Sequence, residues 1–191
     1  MPYCGWITSR GGRPCPAATH DLVLTTGGIS GSEVDHLPGA IADAGGTLER
    51  LRLALKPGKP LAFGRIGAAM CLCLPGNPLA ALVGTLLFAR PLLSRLSGGA
   101  AAPAGPAPVP LAAVAGEPIV RRPGLDEYAP ARIAGHDARG LPILVREGRG
   151  GSARLAPLAR ADGLMFLPAA CAGVMPGDPV PFHPFSTGFG L

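Results

Sequence analysis

A chain of 191 residues can bury a real core as one sizeable domain or two small ones. Hydrophobic residues make up 48% and charged residues 15%, which excludes charge-driven disorder, so the 29 glycines and 23 prolines indicate a loop-rich folded protein. The net charge of +5 comes from scattered arginines and aromatics are only 5%; no basic, aromatic-lined nucleic-acid groove is expected, and a small anionic ligand suits the balance better.

Residues 1–20 show no period and read as an irregular lead-in. Leu22-Val23-Leu24 is then a short apolar run ending in Thr25-Thr26-Gly27-Gly28, a buried strand meeting a glycine loop. Residues 37–44 suit a helix, with Ser32 or Asp35 near its N-cap, Pro38 in its first turn and Gly45-Gly46 at its end. Leu51, Leu53 and Leu55 alternate with Arg52 and Ala54, which predicts a strand that puts Arg52 and Lys56 on one face. A turn at 56–60 and an extended Leu61-Ala62-Phe63 follow. A short strand over 70–74 runs into Pro75-Gly76-Asn77-Pro78. A helix over about 79–96 is capped by Asn77 and kinked or split at Pro91. The longest apolar stretch, 79–89, is too short to cross a bilayer, and residues 1–20 hold no signal-peptide core, so no membrane partner is expected.

Residues 99–108 read as a Pro/Gly/Ala linker. Short runs over 109–114, 128–133, 141–145, 164–167 and 180–182 then predict a small β-rich domain, with a barrel as one form open to it, and one helix at 152–161. The expected organisation is an α/β domain over 21–98 followed by a β-barrel over 109–191. Five cysteines in irregular spacing fit neither a disulfide framework nor zinc, which places the chain in a reducing cytoplasm. Cys71 and Cys73 read as core residues, the four histidines as isolated, and Asp178 as a turn residue.

Chemistry concentrates in two loops that leave strands and enter helices. Glycines allow close backbone approach, and helix N-termini present N–H groups, so the loops 25–35 and 74–78 suit phosphate or another oxyanion. Ordinary turns are the bland alternative. Glu33 and Asp35 flank the first loop, and spacing leaves helix capping and metal binding both open. Lys56 and Lys59 are the only lysines against fifteen arginines. Compact ammonium groups three apart across a Pro-Gly turn point to anion chemistry, with a solvated turn as the plain alternative. Ser152 after Gly150-Gly151 suits a helix cap.

The segments DLVLTTGGISGSEVD (21–35), LRLALKPGKPLAFG (51–64) and LPGNPLAALV (74–83), with the tail at 150–182, resemble the molybdopterin molybdenumtransferase family (MoeA, gephyrin E-domain, Cnx1 E-domain), C-terminal portion only. The resemblance implies a partial MogA-like three-layer α/β domain and a C-terminal β-barrel. It implies molybdenum cofactor biosynthesis: Mg²⁺-dependent insertion of molybdate into adenylylated molybdopterin, with AMP release. By motif, it implies catalytic roles for Asp35, Arg52, Lys56 and Lys59, and metal roles for Asp35 and Glu33. Thr26, Gly27, Gly28, Ser30, Pro75, Gly76, Asn77 and Ser152 would bind the pterin and its phosphate. The full-length family implies a homodimer. A non-catalytic molybdopterin- or partner-binding module, or one half of a split enzyme, is the alternative reading. The competence-damage type of sheet domain is disfavoured because its GGLGPTxDD loop is absent.

Overall fold

The structure is a computed structural model and describes residues 16–31, 35–98, 110–148 and 155–185. The expected linker at 99–108 and most of the lead-in lie outside the described residues; Pro16–Ala18 form a single 3₁₀ turn. The chain divides into two compact units, Met1–Leu53 with Gly58–Ala101, and Ala54–Pro57 with Ala102–Leu191. The inclusion of Ala54–Pro57 in the second unit was not foreseen from the sequence.

The first unit is a four-stranded mixed sheet between helices. Its strands are β1 (Leu22–Thr26), β2 (Thr47–Arg52), β4 (Pro60–Ile66) and β5 (Ala69–Leu74), in the order β1-β5-β4-β2. β1 and β5 are parallel, from Leu22↔Met70 to Thr26↔Leu74, while β4 is antiparallel to both neighbours. Strand alternation sends Cys71 and Cys73 to one face and Leu72 and Leu74 to the other. The first pair packs with Ile29, Leu37, Ile41, Ala62 and Ile66 under α1 (Leu37–Asp43). The second pair packs with Leu61 and Ala89, joined by Ala81 and Phe88, under the long helix at 78–96. The expected core role of both cysteines therefore holds.

That long helix begins at Pro78, where the Asn77 side chain accepts a hydrogen bond from the Ala80 N–H at 3.1 Å. Pro91 cannot donate to the preceding turn. The helix meets this constraint by continuing as α2 (Pro78–Gly84), a π-helical segment Thr85–Ala89 and α3 (Arg90–Leu96), rather than by breaking. By length and composition alone the helix Pro78–Leu96 is long and apolar enough to cross a membrane, and part of it is buried here.

Two local expectations fail. The strand expected over 51–55 ends at Arg52, and Leu55–Lys56 form a separate short strand, β3, that belongs to the second unit. Arg52 and Lys56 therefore lie in different sheets, not on one face. Asp35 does not cap α1: the capping position is His36, without a side-chain cap bond.

The second unit contains a closed barrel. β6 (Leu111–Ala115), β8 (Asp126–His136), β9 (Pro142–Arg146), β10 (Gly163–Leu167) and β12 (Pro179–Pro184) run β10-β12-β6-β9-β8, and β8 pairs back onto β10. β3 adds to the outside of β8, while β7 (Ile119–Val120) and β11 (Gly173–Val174) form a separate two-stranded sheet. The core is Phe182, Met165, Leu144, Leu167 and Val180, with alanines at 113, 115, 129 and 131. The expected helix is α4 (Leu155–Arg160). Asp178 is the turn residue expected, its Oδ2 accepting from Met175 N–H at 2.7 Å.

Candidate functional site

In the first unit, the parallel pairing of β1 and β5 brings their carboxyl ends side by side. The loops after Thr26 and Leu74 therefore leave the same edge of the sheet, where open α/β sheets bind ligands. The loops touch through their glycines. Gly27 donates its N–H to the Leu74 carbonyl at 2.9 Å. Gly27 has φ +80°, and a Cβ placed on Gly76 would lie 3.2 Å from the Gly27 Cα. A side chain at Gly76 would press on the Gly27 backbone, and one at Gly27 would be strained by the positive φ. Thr26, Gly76 and Ser30 are exposed, Gly27, Gly28 and Asn77 half-buried, and Pro75 buried.

Asp35 closes this loop on itself. Its Oδ2 accepts hydrogen bonds from Ser30 Oγ at 3.0 Å and from the Gly31 N–H. A carboxylate folded back in this way fixes the path of the loop rather than the start of the helix. Sequence reasoning missed Arg50. Its Nη1 would lie 3.5 Å from a Cβ on Gly31, and it alternates with Arg52 on the same face of β2. The i, i+2 spacing of the two arginines was the available signal. Arg52 is exposed and its partner across the strand pair is Pro60.

The predicted residues thus fall into groups. Thr26, Gly27, Gly28, Ser30, Asp35, Pro75, Gly76 and Asn77 come together on two touching loops. Arg52 and Lys59 belong to the same unit, where the Lys59 carbonyl accepts from Leu53 N–H at 3.0 Å. Lys56 belongs to the other unit and pairs there with Glu127 at 3.2 Å. Glu33 and Ser152 lie outside the described residues. Burial pushes the Cys73 thiol up from its ordinary value, against a smaller opposing effect of the Thr25 hydroxyl, as suits a core residue.

Mg²⁺ binding requires an oxygen-rich shell, commonly one or two carboxylates with water and substrate phosphate. Of the two expected ligands only Asp35 is described, and its Oδ2 already accepts two loop hydrogen bonds. Among the described residues, no three His, Cys, Asp or Glu side chains gather in a metal-binding group.

Comparison with known proteins gives two family matches. Residues 15–95 match the family "Probable molybdopterin binding domain", and residues 112–185 match "MoeA C-terminal region (domain IV)". A molybdopterin molybdenumtransferase of Haemophilus influenzae is 42% identical over 78 residues, which are 41% of this chain and 19% of that protein. Molybdopterin molybdenumtransferase 2 of Mycobacterium tuberculosis is 36% identical over 87 residues, 43% of this chain and 22% of that protein. Among solved structures, a molybdopterin biosynthesis MoeA protein from Pyrococcus horikoshii superimposes with TM-score 0.63 at 23% identity, covering 86% of this chain and 37% of that one. A molybdenum cofactor biosynthesis protein from Pyrococcus furiosus gives TM-score 0.57 at 20% identity, covering 85% and 48%. These structural likenesses support the fold. The matched segment is about a fifth of the length of the curated relatives, and the chain covers less than half of either solved neighbour. The two matched regions lie in order along the chain, and together they support a partial chain of the MoeA family.

Proposed function

We propose that this chain binds the phosphate end of adenylylated molybdopterin and serves the insertion of molybdate in molybdenum cofactor biosynthesis, with release of AMP. The observation that carries this reading is the contact between the two glycine loops at the carboxyl edge of β1 and β5. Backbone N–H groups there suit a phosphate, and the Asp35 brace keeps the first loop in place. Thr26, Gly27, Gly28, Ser30, Pro75, Gly76 and Asn77 are assigned to the substrate. Arg52, Lys56 and Lys59 are assigned to the anionic oxygens, to which molybdate itself belongs. The tail serine Ser152 and the acid Glu33 keep the roles that the resemblance gives them. Asp35 and Glu33 would hold Mg²⁺ beside the substrate phosphate, and the reaction belongs to the cytoplasm.

A second reading is favoured by the coverage of the relatives: a binding module, or one part of a two-part enzyme that turns over only with the remaining family regions, within a homodimer. One experiment separates the two. Adenylylated molybdopterin is titrated into the purified chain by calorimetry, and AMP release is followed on adding molybdate and Mg²⁺. Binding with AMP release supports the enzyme, and binding without release supports the module. Gly76→Val and Asp35→Ala should each weaken binding at least about tenfold, since an effect of 1.4 kcal/mol is already that factor. Full affinity in both variants would remove the loops from the site.

A further inference from the structure

Lys56 is held in an unusual way for a half-exposed lysine. Ahead of residue 102, the chain contributes only Ala54–Pro57 to the second unit. There β3 pairs in parallel with β8 through Leu55↔Asp126 and Lys56↔Glu127, and Asp126 N–H donates to the Ala54 carbonyl at 2.8 Å. Leu55 is buried, so this short strand is anchored by packing as well as by its ladder. The register sets Lys56 opposite Glu127, and Nζ lies 3.2 Å from Oε1.

Glu127 is a nearly fully buried carboxylate, and such a charge needs compensation. Arg121 supplies it at Oε2, 3.4 Å from Nε. The Arg121 guanidinium is itself buried and tied to the carbonyls of Leu167, Pro168 and Leu125. Arg146 supplies it at Oε1, 2.6 Å from Nη2. Both oxygens are therefore compensated before Lys56 is counted. A half-exposed lysine in an ion pair gains little and gives up rotamer freedom. The third cation is surplus to what the buried acid needs, so the pairing is better explained by what it does for the lysine.

We propose that Glu127 is a positioning residue for Lys56, holding its ammonium group in one orientation on the barrel unit, with Arg121 fixing the carboxylate and Arg146 sharing the oxygen that Lys56 uses. The proposal rests on the reading above that Lys56 serves an oxyanion substrate. It departs from that reading in assigning a role to a buried acid in the barrel.

The test exploits the two lysines of this chain. Protein labelled with ¹³C at the lysine ε-carbon gives two side-chain signals, assigned with Lys59→Arg, and relaxation reports their fast motion. In Glu127→Gln the order of the Lys56 signal should fall while that of Lys59 stays unchanged. An unchanged Lys56 signal in the folded variant overturns the proposal. Affinity for adenylylated molybdopterin should fall about fivefold in Glu127→Gln in the wild-type background and not at all in a Lys56→Met background; additive losses overturn it. If Glu127→Gln does not fold, Glu127→Asp keeps the charge but shortens the reach and is read in the same way. Independently, Lys56→Met should leave the melting temperature within about a degree of wild type, because the arginines already compensate the acid. A drop as large as that caused by Arg146→Ala would make Lys56 a structural member of the cluster and overturn the proposal. Absence of substrate binding by the wild-type protein would remove the functional reading alone, leaving the relaxation result to decide the positioning.

Discussion

The two sheets of this chain end differently. In the first unit the sheet is open: β1 and β2 are its edge strands among the described residues. In the second unit five strands close on themselves, and β8 serves both neighbours to complete the ring. Closure lets every barrel strand contribute side chains to one interior, which leaves Met165, Phe182 and Leu144 fully buried. The open sheet buries its centre and leaves its flanks less covered, but it gains a carboxyl edge where two loops meet. The contrast is between a closed core and an open loop edge. Lys56 lies on the closed unit, paired there with Glu127.

The largest expected effect tests the closed unit. Phe182 has no exposed surface and lies at the centre of the barrel core. Phe182→Ala should cost about 3–5 kcal/mol, because it removes a buried ring and leaves a cavity that a closed sheet cannot easily collapse. Urea unfolding followed at barrel signals measures this. A loss below about 1 kcal/mol, well under that range, would mean that the barrel interior repacks freely.

A middle effect tests the loop edge of the open unit. Asn77→Ala removes the acceptor for the Ala80 N–H and should cost about 0.5–2 kcal/mol. Hydrogen exchange should quicken at Ala80 and Ala81 while the barrel amides keep their protection. Equal quickening in the barrel amides would mean that the effect of losing the cap is not local.

Much of this arrangement was legible in the sequence, and the parts that were not share a cause. The barrel strands announced themselves by short apolar runs between turns, and Asn77-Pro78 marked the start of the long helix at the correct residue. β3 was absorbed into a longer strand because two residues have no period, and its partner lies about seventy positions away at Asp126–Glu127. Alternation in Leu51, Leu53 and Leu55 suggested continuity, whereas the backbone breaks between Arg52 and Leu55. Asp35 was placed near a helix cap on local spacing, yet the loop N–H of Gly31 and the hydroxyl of Ser30 offer it two donors on its other side. Glu127 carried no local signal at all. Its importance arises only when Arg121, Arg146 and Lys56 converge on it from separate strands and turns.

The smallest expected effect sharpens the contrast at the flanks of the open sheet. Leu24, Leu72 and Phe63 form one row across β1, β5 and β4, set by the registers Leu24↔Leu72 and Phe63↔Leu72. All three side chains point to the face that carries the long helix, yet that helix covers only the middle of the row. Leu72 is 3% exposed, against 43% for Leu24 and 41% for Phe63. Exposed apolar residues of this kind gain little from folding, so Leu24→Ser and Phe63→Ser should each change stability by no more than about 0.5 kcal/mol. Chemical denaturation of the two variants, with the slope checked for constancy, measures the change. A loss above about 1 kcal/mol would be outside the range for such surface positions and would mean that the row is covered in solution. The flanks of the open sheet would then be as well buried as the barrel interior, and the difference between the two sheets would reduce to their hydrogen-bonded edges.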